Sequence, residues 1–228
     1  ESQDMRPVIY PDSHIQLPPR LCGGIRDYVH AWAYRWSDMD WTGQFDKRDK
    51  GTHRFTIADV RGTLQLTVPI AKPSTSRCRW DEVRISTHGA WWDVHRVALE
   101  SAYGRTPYFE FYIDRFLPML TTGVDDRFPL LHTLAKAWDH EIRDILGMAV
   151  CNAEASTEGP IREDHPRHNI PDITADILLP YRQVRQDKLG FLGGLSILDL
   201  IFNLGPEAQI YLNNAAKKAY KQDTCQCE

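Results

Sequence analysis

The 228-residue chain has no long apolar run. Its most hydrophobic stretch, Leu195 to Leu204, is interrupted by Asp199 and Asn203 and is too short to span a bilayer. It has no disulfide framework either. Five cysteines, an odd number, are scattered at Cys22, Cys78, Cys151, Cys225 and Cys227, a spread that suits a reducing compartment better than secretion. No excess of positive charge draws the chain to phosphate backbones or anionic lipid, because 27 Lys and Arg face 31 Asp and Glu for a net charge of −4. Glycine-rich phosphate loops, a Gly-x-Ser-x-Gly elbow, His-Glu-x-x-His and paired Cys-x-x-Cys are all missing; "LCGGIRD" and "GFLGGLS" come nearest to a phosphate loop and have the wrong spacing. No basic-then-apolar leader opens the sequence. The expectation is a soluble, cytoplasmic chain with no membrane span, no nucleic-acid partner, no cofactor and no metal.

What is present is ordinary for a globular protein: 42% hydrophobic and 25% charged residues. A chain of this length buries about 70% or more of the surface its unfolded form exposes, so a core needs no cross-link. One domain over residues 1–220 and a frayed tail over 221–228 are expected. Seven tryptophans and nine tyrosines are enough to fill a core or to line a sugar site.

The pattern along the chain changes period. Short strands are expected at "VIYP" and "IQLP", then a helix through "IRDYVHAWAYRW", where Ile25, Tyr28, Val29, Trp32 and Trp36 fall near helical spacing. Alternation over residues 52–58 and 63–70, with a turn at Asp59–Gly62, predicts a β-hairpin, and "EVRIS" (82–86) reads as a third strand. Helices follow: "AWWDVHRVALESAY" up to Gly104, "PYFEFYIDRFLPML" opened by Pro107, and "LLHTLAKAWDHEIRDIL" ended by Gly147. Residues 152–180 read as a long loop with one strand at "DILLPY", before two closing helices, "LSILDLIFNLG" and "EAQIYLNNAAKKAY". The fold class is mixed α+β: a small central sheet with flanking helices and a helix-rich C-terminal half.

Four constellations carry possible chemistry. His165 and His168 beside Asp164 have loop spacing interrupted by Pro166, and solvated histidines outweigh a metal site there. Cys22, ahead of "GGIRD", sits where a helix N-terminus would stabilise a thiolate, though a small buried residue looks the same in sequence. His95 shares an apolar helical stripe with Trp92 and Leu99. With His53 and Arg54 on the hairpin it would complete a polar pocket for a carboxylate or phosphate. Asp199 and Asn203 lie one turn apart on the apolar closing helix and must find partners if buried, whether in a site or as a brace.

Read in order, several blocks resemble the WbqC-like family, particularly its Bacteroidetes-type members: "LCGGIRDYVHAWAY", "KRDKGTHRFTIADVRGTLQLTVPIAKP", "EVRISTHGAWWDVHRVALESAYGRTPYFEFY" and "GFLGGLSILDLIFNLGPEA". Trp91, His95, the Ser101–Tyr103 triplet and the Pro107–Tyr112 junction carry the closest match. Thr52 and His53 stand where Arg and Asn are usual in the family, whereas Arg54 keeps its place. The resemblance implies a transferase of surface-polysaccharide (O-antigen type) biosynthesis acting on an amino- or acyl-substituted nucleotide sugar. In that reading His95 and Asp199 are catalytic, and Arg54, His53, Trp91, Tyr103 and Asn203 bind substrate. A non-catalytic binding or scaffold protein, and a thiol-dependent acyl transferase or hydrolase using Cys22, remain as alternatives. Oligomeric state stays open.

Overall fold

The fold is taken from a computed structural model that describes residues 6–46, 48–49, 51–72, 75, 77–148, 163–164 and 170–224. The tail beyond Thr224, the His165/His168 motif and Cys151 lie outside the described residues.

The N-terminal segment is a strand–helix–strand unit. Strand β1 (Tyr10–Leu17) is one continuous element where two short strands were expected. Helix α1 (Ile25–Ala33) buries Tyr28, Val29, Ala31 and Trp32, and the chain then passes without a loop into β2 (Tyr34–Met39). The expected helix therefore stops three residues before Trp36. In β2 the buried residues are Tyr34, Ser37 and Met39, and the strand pairs in parallel with β1. Strand β5 (Glu163–Asp164) pairs with the other edge of β1, giving a parallel sheet of order β2–β1–β5.

The hairpin expected from alternation is present as β3 (Arg54–Asp59) and β4 (Gly62–Thr67), in register from Arg54↔Thr67 to Asp59↔Gly62. Its alternation sorts the faces. Phe55, Ile57 and Leu66 are buried, whereas Arg54, Thr56 and Gln65 project from the opposite side. "EVRIS" does not extend this sheet. Trp80–Glu82 forms a single 3-10 turn, and only isolated bridges, Ile70↔Ile85 and Arg84↔Leu130, follow it.

Helices pack beneath. Helix α2 (Trp91–Tyr103) turns Trp91, His95, Leu99, Ala102 and Tyr103 to the core, so the stripe begins at Trp91 and not at the half-buried Trp92 expected from the sequence. Helices α3 (Phe109–Phe116), α4 (Val124–Arg127) and α5 (Leu131–Ile145) follow, and Trp138 of α5 stacks on Phe116 at 5.0 Å between ring centres. Residues 175–177 form a turn, followed by a bend at Leu178 and irregular chain, where the strand at "DILLPY" was expected. Helix α6 (Gln186–Leu189) is one turn in the segment that leads to α7 (Ile197–Leu204) and α8 (Glu207–Thr224). Described residues from every major element join one hydrophobic cluster, and the class is mixed α+β with small sheets and flanking helices.

Two buried polar networks lock the layers. Tyr28 on α1 donates to Asp139 on α5 (2.7 Å), Arg143 pairs with the same carboxylate (2.7 Å) and also donates to Ser37 on β2 (2.8 Å). Asp199 on α7 accepts from Tyr181 and from Gln183 Nε2 (3.1 Å), while Asn203 Oδ1 accepts the backbone N–H of Val184 (3.0 Å). This second network clamps residues 181–192 across α7.

Gly205 ends α7 at φ 52°, ψ −124°, and a Cβ there would sit 2.5 Å from the Tyr108 ring. Both the backbone and the space demand glycine. Gly205→Ala is therefore expected to destabilise the fold by about 1–3 kcal/mol. Urea unfolding of the two proteins measures it, and an unchanged midpoint would contradict the packing described.

Candidate functional site

Three segments far apart in sequence meet through their backbones. Ile25 N–H donates to Leu195 O (3.2 Å), Ile197 N–H to Gly23 O (3.0 Å), and Ser196 N–H to Thr56 O on β3 (2.8 Å). The two diglycine stretches seen in the sequence thus become neighbours. A Cβ on Gly23 would lie 2.7 Å from the Tyr28 ring, so the close approach requires glycine. Above this junction opens a cleft of about 380 Å³, at the low end of the range for small-molecule pockets. It lies where the chain leaves the carboxyl end of β1 for the N-terminus of α1, beside the polar face of the β3–β4 hairpin. Parallel α/β units place ligand sites at such ends.

The cleft is lined by three arginines, Arg20, Arg26 and Arg54, and two aspartates, Asp27 and Asp49. Arg20 is already engaged: its Nη1 donates to both carboxylate oxygens of Asp49 (2.9 Å), and its Nε lies 3.7 Å from Asp27. Arg26 is exposed and has no ion pair among the described residues. Among the described residues Arg54 also has no ion pair, and its Nε is buried without a hydrogen-bond partner. A buried N–H left without an acceptor costs about 1–3 kcal/mol, so the Arg54 side chain gains from any acceptor that reaches it. Asp27 accepts the Gly24 N–H (2.8 Å) as a helix cap, and burial raises its carboxyl above the usual range despite the Arg20 charge.

Cys22 lies on the cleft wall, its Sγ 3.3 Å from Ser196 Oγ, and is 5% exposed. Burial pushes its thiol up to about 12. A thiol kept protonated by burial is a poor nucleophile at neutral pH, which disfavours the thiol-nucleophile alternative. The N-terminus of α1 is close by, but desolvation outweighs what the helix dipole provides.

The other residues singled out in the sequence lie elsewhere. His95 is 3% exposed, beneath the opposite face of the hairpin from Arg54 and Thr56. Its Nε2 donates to the Thr67 carbonyl (3.0 Å), and its ring packs edge-on to Phe55 and Trp91. Burial lowers its pKa to about 4, so the imidazole is neutral. His53 is buried against Phe45 and bonds Thr52 through Nδ1 (3.0 Å). Trp91 opens α2 with its indole N–H buried and without a hydrogen bond. Tyr103 accepts the Ala58 N–H (3.1 Å) on β3. Asp199 is 1% exposed and receives Tyr181, Tyr103 and Gln183; burial raises its carboxyl, and no cation compensates it. Asn203 donates to the Asp199 carbonyl (2.8 Å). Of the predicted set only Arg54 lines the cleft; Asp199 and Tyr103 border a separate space of about 10 Å³, room for one water.

Sequence reasoning missed Arg20, Arg26, Asp27 and Ser196. Its available signal was the pair of diglycine stretches, set aside for lacking phosphate-loop spacing. Among the described residues no group of three His, Cys, Asp or Glu side chains is placed to hold a metal ion, and no helix is long and apolar enough to cross a membrane.

The sequence profile of the WbqC-like protein family matches residues 42–175, more than half the chain and including Arg54. An uncharacterized protein of Mycobacterium tuberculosis is 28% identical over 197 residues, an alignment covering 74% of this chain and 84% of that protein. No solved structure matches the chain.

Two outcomes follow from the titrating groups. His95 and His30 are both lowered by burial to about 4 from the unfolded value of 6.5. A base that is harder to protonate when folded leaves stability intact above pH 6.5 and removes it as pH falls toward 4. His95→Gln, which keeps a donor for Thr67, is expected to abolish up to about 3 kcal/mol of that acid-side loss. Urea unfolding at pH 7.5 and 4.5 compares the two slopes, and identical slopes would refute the assignment. For Cys22, alkylation by iodoacetamide at pH 7.5 is expected to run at least about 100-fold slower than in urea. Peptide mass spectrometry follows the site, and native-state labelling at the unfolded rate would show the thiol to be open and ionisable.

Proposed function

This chain belongs to the WbqC-like protein family, and we propose that it is a transferase of surface-polysaccharide biosynthesis that holds the anionic part of a nucleotide-linked, amino- or acyl-substituted sugar in the Arg54 cleft. One observation carries the reading: a buried guanidinium N–H without an acceptor, on a side chain lining a cleft whose arginines outnumber its aspartates. Guanidinium groups match phosphate oxygens bidentately, and both a charge-assisted bond and a satisfied donor are gained on binding. The cleft also collects helix N-termini. α1 begins at its rim and α7 at Ser196 on its wall, and their dipoles favour an anion at that point.

In this reading each residue has a stated task. Arg54 takes a phosphate oxygen, and Arg26 at the open rim attracts and orients the ligand. Asp27, whose carboxyl burial has raised, is the proton acceptor or donor for the sugar substituent. His95 acts through structure. Its bond to Thr67, the cross-strand partner of Arg54, holds the strand pair at the register that presents the guanidinium. The Asp199 group anchors the cleft's far wall.

Isothermal titration with uridine diphosphate N-acetylglucosamine and with inorganic pyrophosphate tests the anion site. Arg54→Gln is expected to weaken both by about 10- to 100-fold, while Arg84→Gln, an exposed arginine away from the cleft, changes neither. Asp27→Asn, which keeps the Gly24 cap but removes a negative charge from the cleft, is expected to leave pyrophosphate affinity no weaker and to lower kcat. Equal affinity in the Arg54 variant would sink the reading.

A further inference from the structure

Beside the cleft lies a second cavity of about 290 Å³. The two share Ile25, Arg26, Leu178 and Gly194, so they adjoin along that edge. Their linings differ. The cleft is polar; the annex is walled by the rings of Tyr181, Phe191 and Tyr211, with Tyr181 edge-on to each of the others at 5.3 Å. Both tyrosine hydroxyls are already spent elsewhere, that of Tyr181 on the buried Asp199 and that of Tyr211 on the Leu179 carbonyl (2.8 Å). What these residues leave for a ligand is hydrocarbon. A nucleobase, with donors and acceptors along its edge, would find no hydrogen-bond partner on this aromatic wall, only at Arg26 and the Gly193–Gly194 backbone at its margin. A chain of methylenes loses nothing.

We propose that the annex receives the acyl group of the ligand whose phosphate is held by Arg54, making the substrate an anionic molecule that carries a medium-length acyl chain. This rests on the Arg54 reading and adds the substrate class to it. Size supports the length: a cavity of about 150 Å³ holds a benzene ring, so about twice that volume accommodates roughly six to ten acyl carbons. Position supports the connection, because Ile25, Arg26, Leu178 and Gly194 line both spaces. The annex wall is also preformed. Gln183 exchanges two side-chain bonds with the Leu192 backbone (2.8 and 2.9 Å) and donates to Asp199, so the segment carrying Tyr181 and Phe191 is tied to α7 before any ligand arrives. Two sources share this chemistry: an acyl-substituted sugar nucleotide and an acyl thioester of a phosphopantetheine carrier.

The test is isothermal titration of the full chain with two series. One comprises uridine diphosphate glucosamines N-acylated with two-, six- and eight-carbon chains, the other coenzyme A thioesters of the same acyl groups. In one series affinity is expected to rise roughly fourfold per methylene, and that series identifies the source. Ala175 is exposed and lines the annex but not the cleft. Ala175→Trp is expected to flatten the rise and to leave the two-carbon member unchanged. No dependence on chain length in either series, or a dependence that survives Ala175→Trp, overturns the proposal. Inorganic pyrophosphate separates the two layers of the argument. If Arg54→Gln weakens pyrophosphate while chain length has no effect, the anion site stands and the acyl slot falls. If pyrophosphate binding is indifferent to Arg54, the anion site itself falls, and the proposal with it.

Discussion

The backbone junction of Gly23, Thr56 and Ser196 is the constraint on which the rest of the site depends. Three hydrogen bonds there, from Ser196 to Thr56, Ile197 to Gly23 and Ile25 to Leu195, join the start of α1, the hairpin and the start of α7. Each of these groups would otherwise be a buried backbone donor or acceptor needing a partner. The junction aligns the first turns of two helices with the polar face of β3, and so sets Arg54 and Asp27 on the walls of one cleft. It also explains why Cys22 is buried and protonated. The thiol fills the space beneath the junction and contacts Ser196.

The second constraint is the buried carboxylate of Asp199. A lone carboxylate in a core is costly, and here it is offset by three neutral donors rather than by a cation. Because those donors come from α2 and from the segment ahead of α6, satisfying the carboxylate requires that segment to lie over α7. The result is a wall for the annex built from residues with little regular structure of their own. Polar atoms sealed inside the fold thus shape a surface site they never touch.

His95 is a contrasting case. Its position between Phe55, Trp91 and the Thr67 carbonyl leaves one bond to make, and that bond fixes the tautomer with Nε2–H as donor. A neutral imidazole holding a strand from behind is a different device from one facing solvent, though both would read identically as a histidine on an apolar stripe.

The sequence by itself determined much of the architecture. The period-2 alternation of residues 52–70 specified the hairpin and which side carries Arg54. The 3.6-residue stripes specified α2 and α5. The scattered cysteines and broken apolar runs excluded a disulfide framework and a membrane-spanning helix. Ordered blocks from Leu21 to Leu212 were sufficient for family kinship. These features are local, set by side-chain periodicity within a dozen or so residues. Where an outcome depended on partners distant in the chain, local pattern did not reach it. Tyr34–Met39 became a strand because β1 lay beside it, although its spacing continued a helix. "EVRIS" stayed outside the sheet for want of a partner beyond single bridges. Above all, only the tertiary structure decided that Arg54 and His95 lie on opposite faces of one hairpin, and that two diglycine stretches about 170 residues apart close over the same cleft. Contacts between segments so far apart depend on the packing of everything between them, which no local window of residues encodes.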